Sequence, residues 1–217
     1  MTTDVDRSAE WAWIVANGSP WLLGETGCLT FARGVSERGV LEAFAMDPDT
    51  AVPLTAAEAE AQILATLGND GPYWVRVAHV DGWGIAVEQY EFKARLDNIG
   101  ARLATDGESV VVDTNFKGFG SVDYFVAGAW ISHFGINEGY DTRAGREPDH
   151  FHDALAAVGL GGLDDGTMAD RPRMPDQIVG ILTMLTNELG IHLSHDVYAG
   201  PLLTASRTER HVHHLRG

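Results

Sequence analysis

The stretch Tyr73–Tyr90 most constrains how this chain can fold. It reads YWVRVAHV, then Asp81-Gly82, then WGIAVEQY. Asp and Gly both tolerate positive φ, so the dipeptide predicts a two-residue type I′ turn, whose twist matches that of paired strands. The turn sets the register, with Val80 facing Trp83. Because both faces of the hairpin are largely apolar, we expect it to lie centrally in a sheet covered on both sides.

A second tight hairpin is predicted around Ala127-Gly128, between VDYFV and AWISHF. Strict alternation along its strands places Phe125, Trp130 and Phe134 on one face. Two further apolar segments are predicted as single strands, Cys28–Arg33 and Ser109–Phe116. Since tight hairpins dominate the connections, the sequence predicts a mostly antiparallel sheet of about six strands.

About six helices are predicted to flank this sheet, from capping residues and apolar stripes. Thr55 and Glu58 form a capping box, in which each side chain bonds the backbone amide of the other residue. One helical stripe unites Phe92, Leu96, Ile99 and Leu103. The remaining predicted helices are Ser8–Ala16, 36–45, 148–158 and 175–189. Helices beside antiparallel hairpins indicate an α+β fold.

We predict one α+β domain over residues 1–205 and a flexible C-terminal tail over 206–217, because the last residues have no apolar periodicity. The segment 161–173, rich in Gly, Asp and Arg, is predicted as a mobile loop. No apolar run approaches the roughly 20 residues that span a bilayer. The acidic N-terminus lacks the features of a signal peptide, so we expect a cytoplasmic protein.

The chain carries 31 acidic and 15 basic residues and a formal net charge of −16. Such a charge repels nucleic acid and anionic membranes, so neither is an expected partner. It attracts proteins with a basic surface by long-range steering. Solubility alone also explains an acidic surface.

Recognised catalytic and cofactor motifs are missing from the sequence: it has no G-x-S-x-G elbow, no G-x-G-x-x-G fingerprint and no Walker motif. No cofactor is therefore predicted. The single cysteine, Cys28, lies in an apolar strand and is expected to be a buried, unreactive thiol. No metal site is predicted, and the weak candidates for one are His192, His195, His211 and His213.

Glu88 is the weak catalytic candidate, because it falls on the inward side of the central hairpin beside Val75 and Val77. A half-buried Glu needs a partner, for which we expect Arg95, Arg102 or a tyrosine hydroxyl. A raised pKa would suit it to general-base catalysis, although a structural role is favoured. The predicted binding residues are Trp83, Glu88, Lys117, Asp164 and Asp165; Lys117 belongs to a Gly-rich turn that could form a small anion nest.

The segments CLTFARGVSERGVLEAF, GWGIAVE, VDYFVAGAWISHF and QIVGILTMLTNELGIHLSHDVYAGPLL resemble an actinobacterial family of uncharacterised proteins, a domain of unknown function, over residues 9–205. The resemblance implies a cytoplasmic actinobacterial protein, and it does not imply any particular catalytic activity. The positions that match residues marked in the family pattern are Trp11, Cys28, Gly34, Trp83, Glu88, Asn115, Phe125, Gly128, Phe134, Gly190 and Pro201. The long Thr55–Gly68 helix and a helical segment after Glu88 depart from that pattern.

The leading hypothesis is a non-catalytic acidic interaction protein, such as an inhibitor or an immunity protein that binds a basic partner. The alternatives are an enzyme that uses Glu88, and a small-ligand sensor with a pocket near Glu88 and the sheet aromatics or between the sheet and the 147–190 helices. Whether the chain is an enzyme stays open, with binding favoured over catalysis.

Overall fold

The computed structural model describes residues 8–18, 26–67, 71–115, 117–136, 142–161 and 172–208. Its strands are β1 Gly27–Arg33, β2 Val52–Leu54, β3 Tyr73–Val80, β4 Trp83–Gln89, β5 Glu108–Thr114, β6 Gly120–Val126, β7 Ala129–Ile136 and β8 Leu202–Arg207. They form one sheet in the order β2-β8-β3-β4-β1-β5-β6-β7, and every pairing is antiparallel. The predicted α+β class is confirmed.

The helices are α1 Ser8–Trp11, α2 Glu37–Ala43, α3 Ala56–Thr66, α4 Lys93–Leu96, α5 Ile99–Leu103, α6 His152–Ala157, α7 Met174–Leu189 and α8 His195–Ala199, with 3-10 turns at Ala12–Gly18 and Pro48–Thr50. The predicted capping box at Thr55 and Glu58 is present. Ser36 caps α2, and Gly190 ends α7 in the left-handed conformation. No described helix has the length and apolar character needed to cross a bilayer.

Both predicted hairpins form. Asp81 and Gly82 have φ of 49° and 84°, as a type I′ turn requires, and Val80 pairs with Trp83. Ala127 and Gly128 repeat this geometry with φ of 49° and 73°. The first hairpin lies centrally, as predicted, with β8 on one side and β1 on the other.

The sheet has eight strands where six were predicted, because β2 and β8 were missed. β2 is three residues long and contains Pro53, so it carries almost no strand signal. β8 begins at Leu202, within the predicted domain, and extends into the predicted tail, so Ser206 and Arg207 belong to the strand instead of the tail. The residues from 209 onward lie outside the described part of the chain.

The predicted helix through Phe92 and Leu103 is two short helices. Asn98 takes a left-handed conformation with φ of 54°, which ends α4 and starts α5 in a new direction. The apolar stripe was correct at Ile99 and Leu103, which are buried, but Leu96 is exposed. The helix predicted over 148–158 is also shorter, since α6 begins at His152.

The two faces of the sheet pack different helices. On the α7 face, α1, α6 and α7 cover the side chains of Leu29, Phe31, Ile85, Val87, Val110 and Val112. On the α5 face, α2, α4 and α5 cover Cys28, Ala32, Val75, Val77, Ala86 and Val111. Consecutive residues of a strand point to opposite faces, which is why one sheet supplies two separate cores.

Candidate functional site

Ionisable side chains are buried at one level of the α5 face, on three neighbouring strands. Cys28 of β1 lies opposite Glu88 of β4 on one side and opposite Asp113 of β5 on the other. Asp113 in turn lies opposite Ser121 of β6. Buried acidic groups are costly unless they are paired or protonated, so this row requires specific partners.

Glu88 is fully buried, and its partners come mainly from the start of α4. Oε1 accepts hydrogen bonds from the backbone N–H of Lys93 at 2.6 Å and from the hydroxyl of Tyr73 at 3.2 Å. The backbone N–H of Ala94 lies 3.2 Å from Oε2. Burial raises the pKa of Glu88 to about 7, and the backbone donors oppose that rise. The predicted tyrosine partner is present, whereas Arg95 and Arg102 bind elsewhere.

Cys28 is kept as a thiol by the same surroundings. Burial and then the neighbouring Glu88 raise the pKa of Cys28 well above its ordinary value. A reactive cysteine needs an electropositive, accessible setting, so this thiol is a packing residue, as the sequence predicted.

Asp113 is the second buried carboxyl of this row, with 3 % of the residue exposed. It accepts a hydrogen bond from Ser121 Oγ at 2.5 Å, and Arg95 Nη1 lies 3.3 Å from its other oxygen. Burial raises the pKa of Asp113, while Ser121 and Arg95 oppose the rise. Through this pair, Asp113 holds Arg95 at the edge of an open cleft.

This cleft, which we call the Asp123 cleft, has a volume of about 430 Å³. It is lined by Ala94, Arg95, Asn98, Val111, Asp123, Phe125, Trp130 and His133. Asp123 Oδ1 accepts hydrogen bonds from Trp130 Nε1 at 2.8 Å and from His133 Nδ1 at 2.9 Å. Asp123 Oδ2 accepts no hydrogen bond within the described part of the chain and remains available to a ligand.

A β-bulge builds this arrangement. Tyr124 pairs with Ser132 but Phe125 pairs with Trp130, so β7 holds one extra residue at Ile131. Without it, Trp130 and His133, three residues apart, would point to opposite faces. The bulge therefore brings both side chains to Asp123. It also corrects the prediction for Phe134, which lies on the α7 face and not with Phe125 and Trp130.

The comparisons with known proteins identify a family. Residues 6–201 match a family of unknown function, DUF6461. The chain belongs to this family. Neither the curated proteins nor the solved structures gave a match. The DUF6461 assignment agrees with the resemblance to an uncharacterised family.

The Asp123 cleft offers binding groups more readily than a nucleophile. Among the described residues that line it there is no Ser, Thr, Cys or Lys. Asp123 can orient the imidazole of His133, but a base needs a nucleophile or a bound water to act on. A carboxylate beside an exposed indole suits a cationic group, which gains charge–charge and cation–π attraction together.

Most of the binding residues predicted from sequence do not meet at this cleft. Trp83 is a core residue, 1 % exposed, with the Arg33 guanidinium 4.3 Å from its ring centroid. Lys117 lies in the turn after β5, where its backbone N–H donates to Asn115 Oδ1 at 2.9 Å. Asp164 and Asp165 lie outside the described residues.

The weak metal candidates are also dispersed. His192 Nδ1 lies 2.7 Å from Glu10 Oε1, and His195 starts α8 against the ring of Trp13. Residues 211 and 213 lie outside the described part. Within that part, no three His, Cys, Asp or Glu side chains are grouped as metal ligands.

Sequence reasoning missed Asp123, His133, Trp130 and Arg95 as a group. Asp123 itself is buried, with 8 % of the residue exposed. The one available signal was the Trp-x-x-His spacing after a tight turn. This spacing places both side chains on one face of a strand only if a bulge lies between them.

Proposed function

We propose that this chain is a non-catalytic binding protein that receives a basic group of a protein partner in the Asp123 cleft. The observation that carries the proposal is the open oxygen of Asp123 beside Trp130, whose side chain is 43 % exposed. Trp is enriched among the residues that contribute most of the binding energy at protein interfaces.

The net charge of −16 supports a basic partner. Long-range attraction would raise the rate at which such a partner meets the chain, and Asp123 would then fix one ammonium or guanidinium group. Arg95 does not oppose this arrangement, because Asp113 pairs with it. An inhibitor or immunity role, a cytoplasmic location and an actinobacterial source belong to the same proposal.

A labelled lysine- and arginine-rich peptide provides the direct test, followed by fluorescence anisotropy at low and high salt. We expect binding that weakens as salt rises. Asp123→Asn and Trp130→Ala are each expected to weaken it about tenfold, the size of one charge-assisted bond or one desolvated cation–π contact.

Glu188→Gln is the matched control, since it removes one charge from the exposed surface of α7. If Glu188→Gln and Asp123→Asn lost the same peptide affinity, only the overall charge would matter, and the proposal that the Asp123 cleft is the binding site would be refuted. An acidic peptide that binds as tightly as the basic one would refute the choice of partner.

A second candidate, a small-ligand sensor or an enzyme, is favoured by the Asp123–His133 contact. A carboxylate that orients an imidazole occurs in many acid–base sites. His133→Gln would abolish turnover of a substrate bound in the cleft but would leave peptide binding nearly intact. Glu88 would contribute to such an enzyme only indirectly, because it is buried beneath α4.

A further inference from the structure

A second cleft lies on the other side of the α4–α5 segment. Its lining is mostly basic, although the chain as a whole is acidic. This basic cleft has a volume of about 390 Å³ and is lined by Phe44, Tyr73, Lys93, Asp97, Arg102 and Arg207, among others. Clefts of this size accommodate small organic molecules.

Three of the 15 basic residues of the chain meet at this one place. They come from three separate elements, since Lys93 is in α4, Arg102 in α5 and Arg207 in β8. The lining contains one carboxylate, that of Asp97. In a chain with net charge −16, this lining holds two more basic than acidic side chains, which favours an anionic ligand over a cationic one.

Arg102 is held in place without being neutralised. Nη2 donates to the backbone oxygen of Ala43 at 2.6 Å and Nη1 to that of Asp97 at 3.0 Å. In the described part of the chain, neither Arg102 nor Arg207 forms an ion pair with a carboxylate. A guanidinium has five N–H donors, so Arg102 keeps donors for a ligand after both carbonyl bonds are made.

Two aromatic core residues reach the same cleft, Phe44 and Tyr73, with 4 % and 5 % of each residue exposed. The rings of Phe44 and Tyr73 lie 6.2 Å apart between centroids and are inclined by 28°. The hydroxyl of Tyr73 is fixed by Glu88. Polar groups that converge beside a rigid aromatic surface are the usual composition of a small-molecule site.

We propose that the basic cleft binds a small organic anion, whose phosphate or carboxylate group contacts Lys93, Arg102 and Arg207 and whose planar apolar part lies against Phe44 and Tyr73. This site is separate from the Asp123 cleft. The two prefer ligands of opposite charge, so either proposal can fail without the other.

The test is isothermal titration with phenyl phosphate, benzoate and neutral benzamide at low ionic strength. Both anions are expected to bind, and benzamide at least tenfold more weakly. The stronger of the two anions identifies the acid group. Arg102→Gln and Arg207→Gln are each expected to weaken anion binding about tenfold, as expected for loss of one charge-assisted contact. Arg207→Lys should restore part of the affinity.

Arg173→Gln is the matched control, because it removes an exposed charge at the start of α7, on the other face of the sheet. Should Arg102→Gln fail to fold, Arg207→Gln and Arg207→Lys decide the question, since Arg207 has an exposed side chain. Three results would overturn the proposal. Benzamide could bind as tightly as the anions, or Arg173→Gln could lose as much anion affinity as Arg102→Gln and Arg207→Gln. The third is that neither anion binds at about 10 mM, roughly 10-fold the concentration of an abundant metabolite.

Discussion

The two faces of the sheet bury different chemistry. The α7 face is covered by a helix of 16 residues whose inward side chains are mostly aliphatic. The α5 face is covered by short helices of seven, four and five residues, and it buries Cys28, Glu88 and Asp113. Both clefts proposed as binding sites adjoin α4 and α5. One face thus mainly stabilises the fold, and the other carries both proposed binding sites.

Arg76 is the exception on the α7 face. It is buried, and its Nη2 donates to the backbone oxygens of Tyr198 and Gly200 at 2.9 and 3.0 Å. Burial lowers the pKa of Arg76. Because its bonds go to the segment before β8, this charge serves to attach the last strand to β3.

The largest difference in stability between the two faces should come from substitutions that remove a large core side chain. Leu182→Ala, in the middle of α7, is expected to lower the free energy of unfolding by about 3–5 kcal/mol, since the site is fully buried and leaves a cavity. Leu103→Ala in α5 is expected to cost about 2–3 kcal/mol, because short helices can move to fill the gap. Urea unfolding measures both.

The same pair of variants should differ in binding. Leu182→Ala should leave the affinity for phenyl phosphate unchanged, whereas Leu103→Ala should weaken it by displacing Arg102. If Leu182→Ala reduced the affinity more, the division of roles between the faces would be wrong.

The next effect concerns pH and is confined to the α5 face. Because the pKa of Glu88 is raised to about 7 from a normal value of 4.5, the native state binds the proton more tightly than the unfolded chain. Its stabilising contribution is complete below about pH 4.5 and is lost as the pH rises through about 7. Stability should therefore fall between pH 5 and pH 8, by on the order of 2–3 kcal/mol from this group.

Glu88→Gln tests this expectation, because Gln keeps an acceptor at the position of Oε1 and does not titrate. The free energy of unfolding, measured at several pH values, should depend less on pH in Glu88→Gln than in the wild type. Parallel profiles for the two proteins would show that Glu88 does not titrate in this range.

A smaller effect is expected at the contact between α5 and the sheet. A Cβ added to Gly100 would lie 2.7 Å from Phe125 Cε2 and 2.8 Å from Val111 Cγ2. Gly100→Ala should therefore destabilise by about 1–3 kcal/mol through overpacking, although Ala favours helix. Gly39→Ala in α2 is the control, since its added Cβ is less crowded, with Val35 Cγ1 at 3.0 Å and Ser36 Oγ at 3.6 Å. Equal effects of the two variants in urea unfolding would argue against tight packing of α5.

The smallest effect on stability is expected at Trp130. Trp130 is 43 % exposed and belongs to neither core cluster, so Trp130→Ala should change the free energy of unfolding by less than about 1 kcal/mol. Leu64→Ala, at an equally exposed side chain on α3, is the control for the loss of surface apolar area. A large destabilisation by Trp130→Ala would assign the indole to structure instead of recognition.

The sequence was sufficient for features set by local chemistry. The Asp81-Gly82 turn, the capping box at Thr55 and the glycine that ends α7 all follow from which residues tolerate a given φ or supply a given hydrogen bond. Glu88 was also found, because alternation from a known turn shows which face a residue occupies.

The Asp123 cleft could not be predicted, because it depends on a departure from alternation. The amino-acid composition does not indicate a bulge at Ile131. One inserted residue shifts the register, so every later side chain of the strand lies on the opposite face from the one that alternation predicts. The basic cleft depends on β8, whose pairing with β3 joins residues far apart in sequence. Short periodic patterns carry no information about such pairings.

The position of β8 between β2 and β3 has a consequence for synthesis of the chain. Until residues 202–207 leave the ribosome, the outer edge of β3 has no neighbour and offers unpaired N–H and C=O groups to other chains. The nascent protein is therefore exposed to aggregation from the synthesis of β3 until the synthesis of β8. A truncation before Leu202 would make that temporary hazard permanent.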